Sequence, residues 1–169
     1  MSTRKTKSLG ADALSEYTGV PVLVYSELKG RKKLPTPAIY LYLNSKNYGH
    51  YICCFENGEG MNFFDSFGYK PDGEFEFANK KLNFSGLPYM SKILRDYGGN
   101  VIYNEQSLQS DDDRIATCGR WCAVRLRYSM MTQDQFCAFV RGCVRALSAY
   151  YKKDIDLDDL VCIMTRDLN

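Results

Sequence analysis

Histidine is nearly absent from this sequence: 169 residues contain one, His50. Any chemistry that needs an imidazole has a single place to occur, and a metal site built on several histidines is excluded. Charge of one sign is also scarce. The 22 Lys and Arg against 20 Asp and Glu leave a formal +2, too little to require a nucleic-acid partner. Arg4, Lys5 and Lys7, and then Lys29, Arg31, Lys32 and Lys33, form two local basic clusters, but neither is interleaved with the aromatics that stack on bases, so both read as solvated charge. No hydrophobic run approaches the roughly 20 residues that span a bilayer. The polar, basic N-terminus has no apolar segment of the kind a secretory signal needs. Internal repeats and low-complexity tracts are missing too. These absences predict a soluble, intracellular protein with no membrane partner.

What is present is enough for one self-sufficient core: 45% of the residues are hydrophobic and 14% aromatic, which at this length predicts a single domain over 1–169, flexible over about residues 1–8. Seven cysteines are an odd number, and most sit inside apolar segments. That usage reads as reduced thiols in a reducing compartment.

Along the chain, a short helix is expected over Asp12–Tyr17, stopped by Gly19, and a strand over Pro21–Tyr25. Ala38–Leu43 reads as a central strand, and Tyr51–Phe55 with Met61–Phe64 as a hairpin. Met90–Tyr97 predicts a helix ended by Gly98-Gly99, and Val101–Tyr103 a short strand. From Gly119 the sequence turns helical to about Met130. Thr132 and Gln135 have capping-box spacing before a further helix whose Phe136, Phe139, Val140, Cys143, Val144 and Leu147 share one face. Strands first and helices last favour an α+β fold, with a sheet covered by the helix that begins near Cys118.

The Asn57-Gly58 dipeptide is the best hairpin signal in the chain, and counting outward from it pairs Gly60 with Phe55, Phe63 with Ile52 and Asp65 with His50. Cross-strand partners hold their Cβ atoms roughly 4.5–5.5 Å apart, close enough for a carboxylate to orient an imidazole. A nucleophile candidate lies in Ala116-Thr117-Cys118-Gly119-Arg120-Trp121-Cys122, where a loop gives way to a helix. A helix N-terminus and an imidazolium both favour thiolate, and Gly119 would let a substrate carbonyl approach backbone N–H groups that bind an oxyanion. Taken singly, Cys118 and His50 read as structural residues. Their joint occurrence with an Asp at hairpin register favours a site. A zinc site from His50, Cys118 and Cys122 lacks a second histidine or a Cys-x-x-Cys pair. Asp154, Asp156 and Asp158 mimic a calcium loop, but Asp159 stands where glycine is needed and Thr165 where glutamate is needed, so they read as helix N-terminal charge. No metal or cofactor is expected.

Gly49-His50-Tyr51, Phe64-Asp65-Ser66-Phe67-Gly68, Leu108-Gln109 and Thr117-Cys118-Gly119-Arg120-Trp121-Cys122 follow, in order, the pattern of the adenovirus-type and ubiquitin-like-protein-specific cysteine proteases. Over about residues 35–130 the sequence most resembles the maturation proteases of virophages, Polinton-type elements and large DNA viruses.

The resemblance implies an adenovirus-protease-like fold, a mixed sheet packed on the helix that carries the nucleophile. It also implies the roles: His50 as base and acid, Asp65 as its orienter, Cys118 as nucleophile, and the Gln109 amide with the Cys118 and Gly119 backbone as oxyanion donors. Gln106 is the alternative glutamine, because the spacing from Gln109 to Cys118 exceeds the family pattern and the insert Asp111-Asp112-Asp113 must bulge outward. Tyr51 stands where many relatives carry tryptophan and would roof a channel for small, glycine-rich substrate residues. The expected activity is cleavage of viral structural polypeptides during capsid maturation, in the virion and the host-cell cytoplasm. Removal of ubiquitin-like modifiers and a non-catalytic interaction module are the alternatives. Adenoviral relatives use a peptide and DNA as activators; no residues here match the peptide-linked cysteine, and neither activator is carried over. The sequence does not specify an oligomeric state.

Overall fold

The computed structural model describes residues 5–46, 48–83 and 86–168. Residues 1–4, including Arg4 of the first basic cluster, lie outside that range. Among the described residues, five strands and five α-helices make a mixed α+β architecture. Helix α1 (Ala11–Thr18) precedes β1 (Val22–Val24), β2 (Ala38–Ser45), β3 (Tyr48–Asn57) and β4 (Gly60–Phe64); α2 (Tyr89–Arg95), β5 (Val101–Tyr103), α3 (Cys118–Arg127), α4 (Gln133–Tyr151) and α5 (Leu157–Met164) follow. The strands lie in the order β1-β2-β3-β4-β5, with β1/β2 and β4/β5 parallel and the two central pairings antiparallel.

Alternation along the strands divides the core in two. Ile39 and Leu41 of β2, with Tyr51, Cys53 and Phe55 of β3, face α3 and the helices around it. Tyr40, Tyr42, Ile52 and Cys54 face the opposite side, where Tyr25 and Met90, Ile93 and Leu94 of α2 cover them. The adjacent thiols Cys53 and Cys54 thus enter different layers.

Helix α3 is central. Its residues from Cys118 to Arg125 are all buried, between the sheet on one side and α1 and α5 on the other. Two buried arginines on it need partners, since an unpaired buried charge is costly. Arg120 donates to the backbone oxygen and Oγ1 of Thr165 at 2.9 and 3.0 Å. Arg125 donates to the Tyr128 and Met131 oxygens at 2.9 and 3.1 Å and lies over the Phe55 and Phe136 rings. By taking those two carbonyls, Arg125 turns the chain out of the helix after Arg127, which is why α3 is shorter than the run to Met130 that the sequence predicts.

The capping box before α4 forms as expected, Gln135 N donating to Thr132 Oγ1 at 3.2 Å and Thr132 N to Gln135 Oε1 at 3.0 Å. The acidic stretch caps α5 through Asp156, which accepts from Asp159 N at 2.7 Å. Strand β1 is shorter than expected because Tyr25 enters a helical turn over Tyr25–Leu28, closed by Val24 N donating to Glu27 Oε1. The N-terminal segment is anchored earlier than its composition suggests. Lys5 is buried, its ammonium 2.7 Å from Asp156 and 2.9 Å from Asp159, and its carbonyl accepts from Ala116 N at 2.7 Å.

Candidate active site

At the edge where β3 begins and β4 ends, the chain gathers its one imidazole, buried carboxyls and the start of α3. The hairpin register there differs from the one expected. The loop consists of Gly58 and Glu59, so Asn57 pairs with Gly60, Cys54 with Phe63 and Cys53 with Phe64. Extending this count sets Ile52 opposite Asp65, so His50 and Asp65 are diagonal neighbours and not facing ones. A slip of two residues, unlike a slip of one, keeps every side chain on its face. The His50 ring therefore still meets the acid, Nε2 lying 3.2 Å from Asp65 Oδ1, while Phe67, opposite His50 by the same count, stacks on the ring at 4.9 Å between centroids.

Close packing sets the position of His50. A Cβ on the preceding Gly49 would fall 1.8 Å from the Tyr42 oxygen, so only glycine allows β3 to approach β2 so closely there. Asp65 is fully buried; its Oδ1 also accepts from Phe67 N at 2.7 Å. Burial alone would lower the His50 pKa, but the Asp65 carboxylate, by charge and hydrogen bond, and the Cys118 thiol within hydrogen-bonding reach outweigh it and hold the ring well above its ordinary value.

Cys118 opens α3, whose N-terminus has no side-chain cap. The cap residue Thr117 instead donates its hydroxyl to Asp158 of α5, which leaves the first-turn N–H groups of α3 without a side-chain acceptor. Asp158 is buried and binds on three sides: it also accepts from Ser110 N at 2.9 Å and Trp121 Nε1 at 3.5 Å. One carboxylate thus ties the residue before Cys118 to the residue after Gln109.

Gln109 lines a cleft of about 390 Å³ together with His50 and Cys118. Its backbone N–H and that of Leu108 both donate to the Ser66 oxygen, and its Oε1 accepts from Ser66 Oγ at 2.9 Å. With the carbonyl end occupied, the NH₂ end is the half of the amide available to the cleft. Gln106 is exposed, and its Oε1 accepts from Arg141 of α4 at 3.2 Å. Asp111, Asp112 and Asp113 form part of the cleft rim, and Asp112 is paired with Arg114.

One expectation is corrected. Tyr51 does not roof the cleft: it is 5% exposed, points into the α3-facing core and donates its hydroxyl to the Leu9 oxygen at 3.1 Å. Alternation along β3 gives it the opposite face from His50. The aromatic side chains on the cleft are Tyr48, Phe67, Tyr69 and Phe77. Gly119, in turn, has protein neighbours that favour a small residue. A Cβ there would lie 3.2 Å from the Tyr51 ring, 3.3 Å from Leu14 and 3.4 Å from Leu9.

No protein-family model matches the chain. Over 131 residues it is 31% identical to uncharacterized protein V9 of Sputnik virophage, a stretch covering 75% of this chain and 71% of that protein. The chain belongs to the family of that virophage protein. The trio weighed from sequence as a zinc site is not among the potential ligand groups that the described residues bring together, and the Cys122 thiol is buried with Cys53. The group they do bring together is His50, Asp65 and Glu74, with potential ligand atoms within 4.8 Å of one another.

Glu74 is the residue that sequence reasoning missed. It is 5% exposed, in a helical turn over Gly73–Glu76, with Oε1 3.7 Å from His50 Nε2. Asp72 positions that turn: in the left-handed conformation at φ 65°, it accepts from the Tyr25 and Tyr42 hydroxyls at 2.7 and 3.1 Å and from Ser91 N at 2.8 Å. The Gly73-Glu74-Phe75-Glu76 stretch has the composition of a surface loop. Nothing in its periodicity signals a buried acid.

Proposed function

We propose that this V9-family protein is a cysteine endopeptidase in which Cys118 attacks a peptide carbonyl, His50 takes the thiol proton and returns it to the leaving amine, and Asp65 orients the ring. The observation that carries the reading is the meeting of Cys118 at an uncapped helix start, His50 bonded to Asp65, and a Ser66-tethered Gln109 on one cleft. A ring whose basicity is raised by a buried carboxylate has a place for the thiol proton. The first-turn N–H groups of α3 and the Gln109 NH₂ are the donors available to an oxyanion. Attack gives an acyl-enzyme thioester, and water activated by His50 hydrolyses it.

The motif resemblance suggests viral structural polypeptides as substrates, cut during particle maturation in the host cell and virion, and the relationship to a virophage protein supplies a viral setting for them. Small residues before the scissile bond fit a site where the carbonyl must reach the backbone at Cys118. Co-expression with candidate virophage capsid proteins tests the reading: cleavage should appear with the native chain and vanish with Cys118→Ala, while the circular dichroism of the variant stays native. Cleavage that persists in Cys118→Ala would refute it.

A further inference from the structure

We propose that Glu74 is a positioning residue of this site, kept in its acid form so that its hydroxyl donates to Asp65 Oδ2 and fixes the carboxylate that orients His50. The inference rests on the catalytic reading above. Its geometric basis is the uneven partnering of Asp65. Oδ1 receives Phe67 N and faces His50 Nε2, whereas Oδ2 is buried with no hydrogen bond from another described residue, and Glu74 Oε1 is buried with none either, His50 Nε2 standing 3.7 Å away. A buried acceptor left unpaired is costly. One side-chain polar atom each of His50, Asp65 and Glu74 lies within 4.8 Å of the others, and a single proton shared between the two carboxyls satisfies both orphaned oxygens.

The surrounding charges point the same way. His50 on β3 is the cation facing the pair; Tyr69 lies beside it after β4, Cys118 of α3 stands beyond His50, and Asp111, Asp112 and Asp113 line the cleft. Lys70 is engaged at the surface with Glu105. Two ionised carboxylates in contact at low dielectric, with one imidazolium between them and the cleft, repel strongly. Burial, helped by the Asp65 charge and hydrogen bond and opposed by His50, raises Glu74 to about 7. The acid form therefore persists near neutrality and is lost as pH rises through that value.

Paired substitutions separate a proton donor from a space filler. Glu74→Gln keeps an N–H donor for Asp65 Oδ2, whereas Glu74→Ala keeps none. With a virophage capsid-derived peptide as substrate, Glu74→Ala should lower kcat by roughly 10- to 100-fold with little change in KM. Glu74→Gln should stay within about 3-fold of native below pH 6 and lose the decline in kcat/KM expected of the native protein as pH rises through about 7. Infrared difference spectra of native against Glu74→Gln protein at pH 6 give a readout independent of peptidase activity: a protonated carboxyl band should be present in the native protein alone. An absent band alongside Cys118-dependent cleavage would overturn the shared proton and leave the catalytic reading standing. A band without any cleavage would overturn the catalytic reading instead. Glu74→Ala with unchanged kcat, or Glu74→Gln as impaired as Glu74→Ala, would show that Glu74 does not position Asp65.

Discussion

At the residue scale, Gln109 and Gln106 lie three positions apart in one loop and face opposite surroundings. The Gln109 side chain is buried, tethered by Ser66 and turned to the cleft; the Gln106 side chain is exposed on Arg141. If the amide of Gln109 binds an oxyanion, Gln109→Ala should slow acylation by roughly two to three orders of magnitude, the usual cost of losing one such donor. Gln106→Ala removes an exposed polar contact and should leave single-turnover rates within about 2-fold, in line with the small effects of surface substitutions. Stopped-flow acylation with an activated ester compares the two directly, and a larger defect for Gln106→Ala would move the role to that residue.

At the element scale, the site is braced by a helix that contributes no side chain to the proposed chemistry. Helix α5 supplies Asp158, whose carboxylate joins the N-cap of α3, the Ser110 backbone and the Trp121 indole. Burial raises its pKa against those hydrogen bonds, so these partners are what make an ionised group tolerable there. Asp158→Ala leaves three donors unpaired and should cost about 1–3 kcal/mol in urea denaturation. It should also lower peptidase turnover, because the α3 start and the Gln109 loop are then no longer tied to each other. Unaltered urea stability together with native turnover would mean that the two segments hold their places without α5.

At the scale of the whole molecule, two neighbouring buried groups of the site, Glu74 and His50, couple folding to pH with the same sign. The Glu74 carboxyl titrates near 7 in the folded chain against about 4.3 when unfolded. Between those values the folded state binds the extra proton, so stability falls as pH rises, by on the order of 3 kcal/mol once pH exceeds the folded value. His50 also has a folded pKa above its unfolded one. Its contribution is complete below about 6.5 and is lost as pH rises through the folded value. Thermal denaturation should therefore give a lower midpoint at pH 8 than at pH 5.5, and Glu74→Gln should flatten the part of that fall between pH 5.5 and 7. A midpoint that rises with pH over this range would contradict the sign for both groups.

The sequence by itself determined the elements and the face on which His50 and Asp65 lie. Hydrophobic period, capping pairs and turn residues act locally, so the strand at Ala38, the Thr132 cap and the helix beginning at Cys118 were legible, as was the single imidazole. Even the wrong hairpin register kept His50 with Asp65, because the strand period is two and so was the error. Only the tertiary structure decided which face Tyr51 takes, which neighbours crowd Gly119, which glutamine reaches the cleft, and that Asp158 and Glu74 are buried. Those outcomes depend on contacts between residues far apart in the chain: Gly119 with Leu9 and Leu14, Ser66 with Gln109, Thr117 with Asp158, His50 with Glu74. A carboxylate in a polar stretch carries no local mark of whether packing will seal it from water, and burial is the property that decides its protonation.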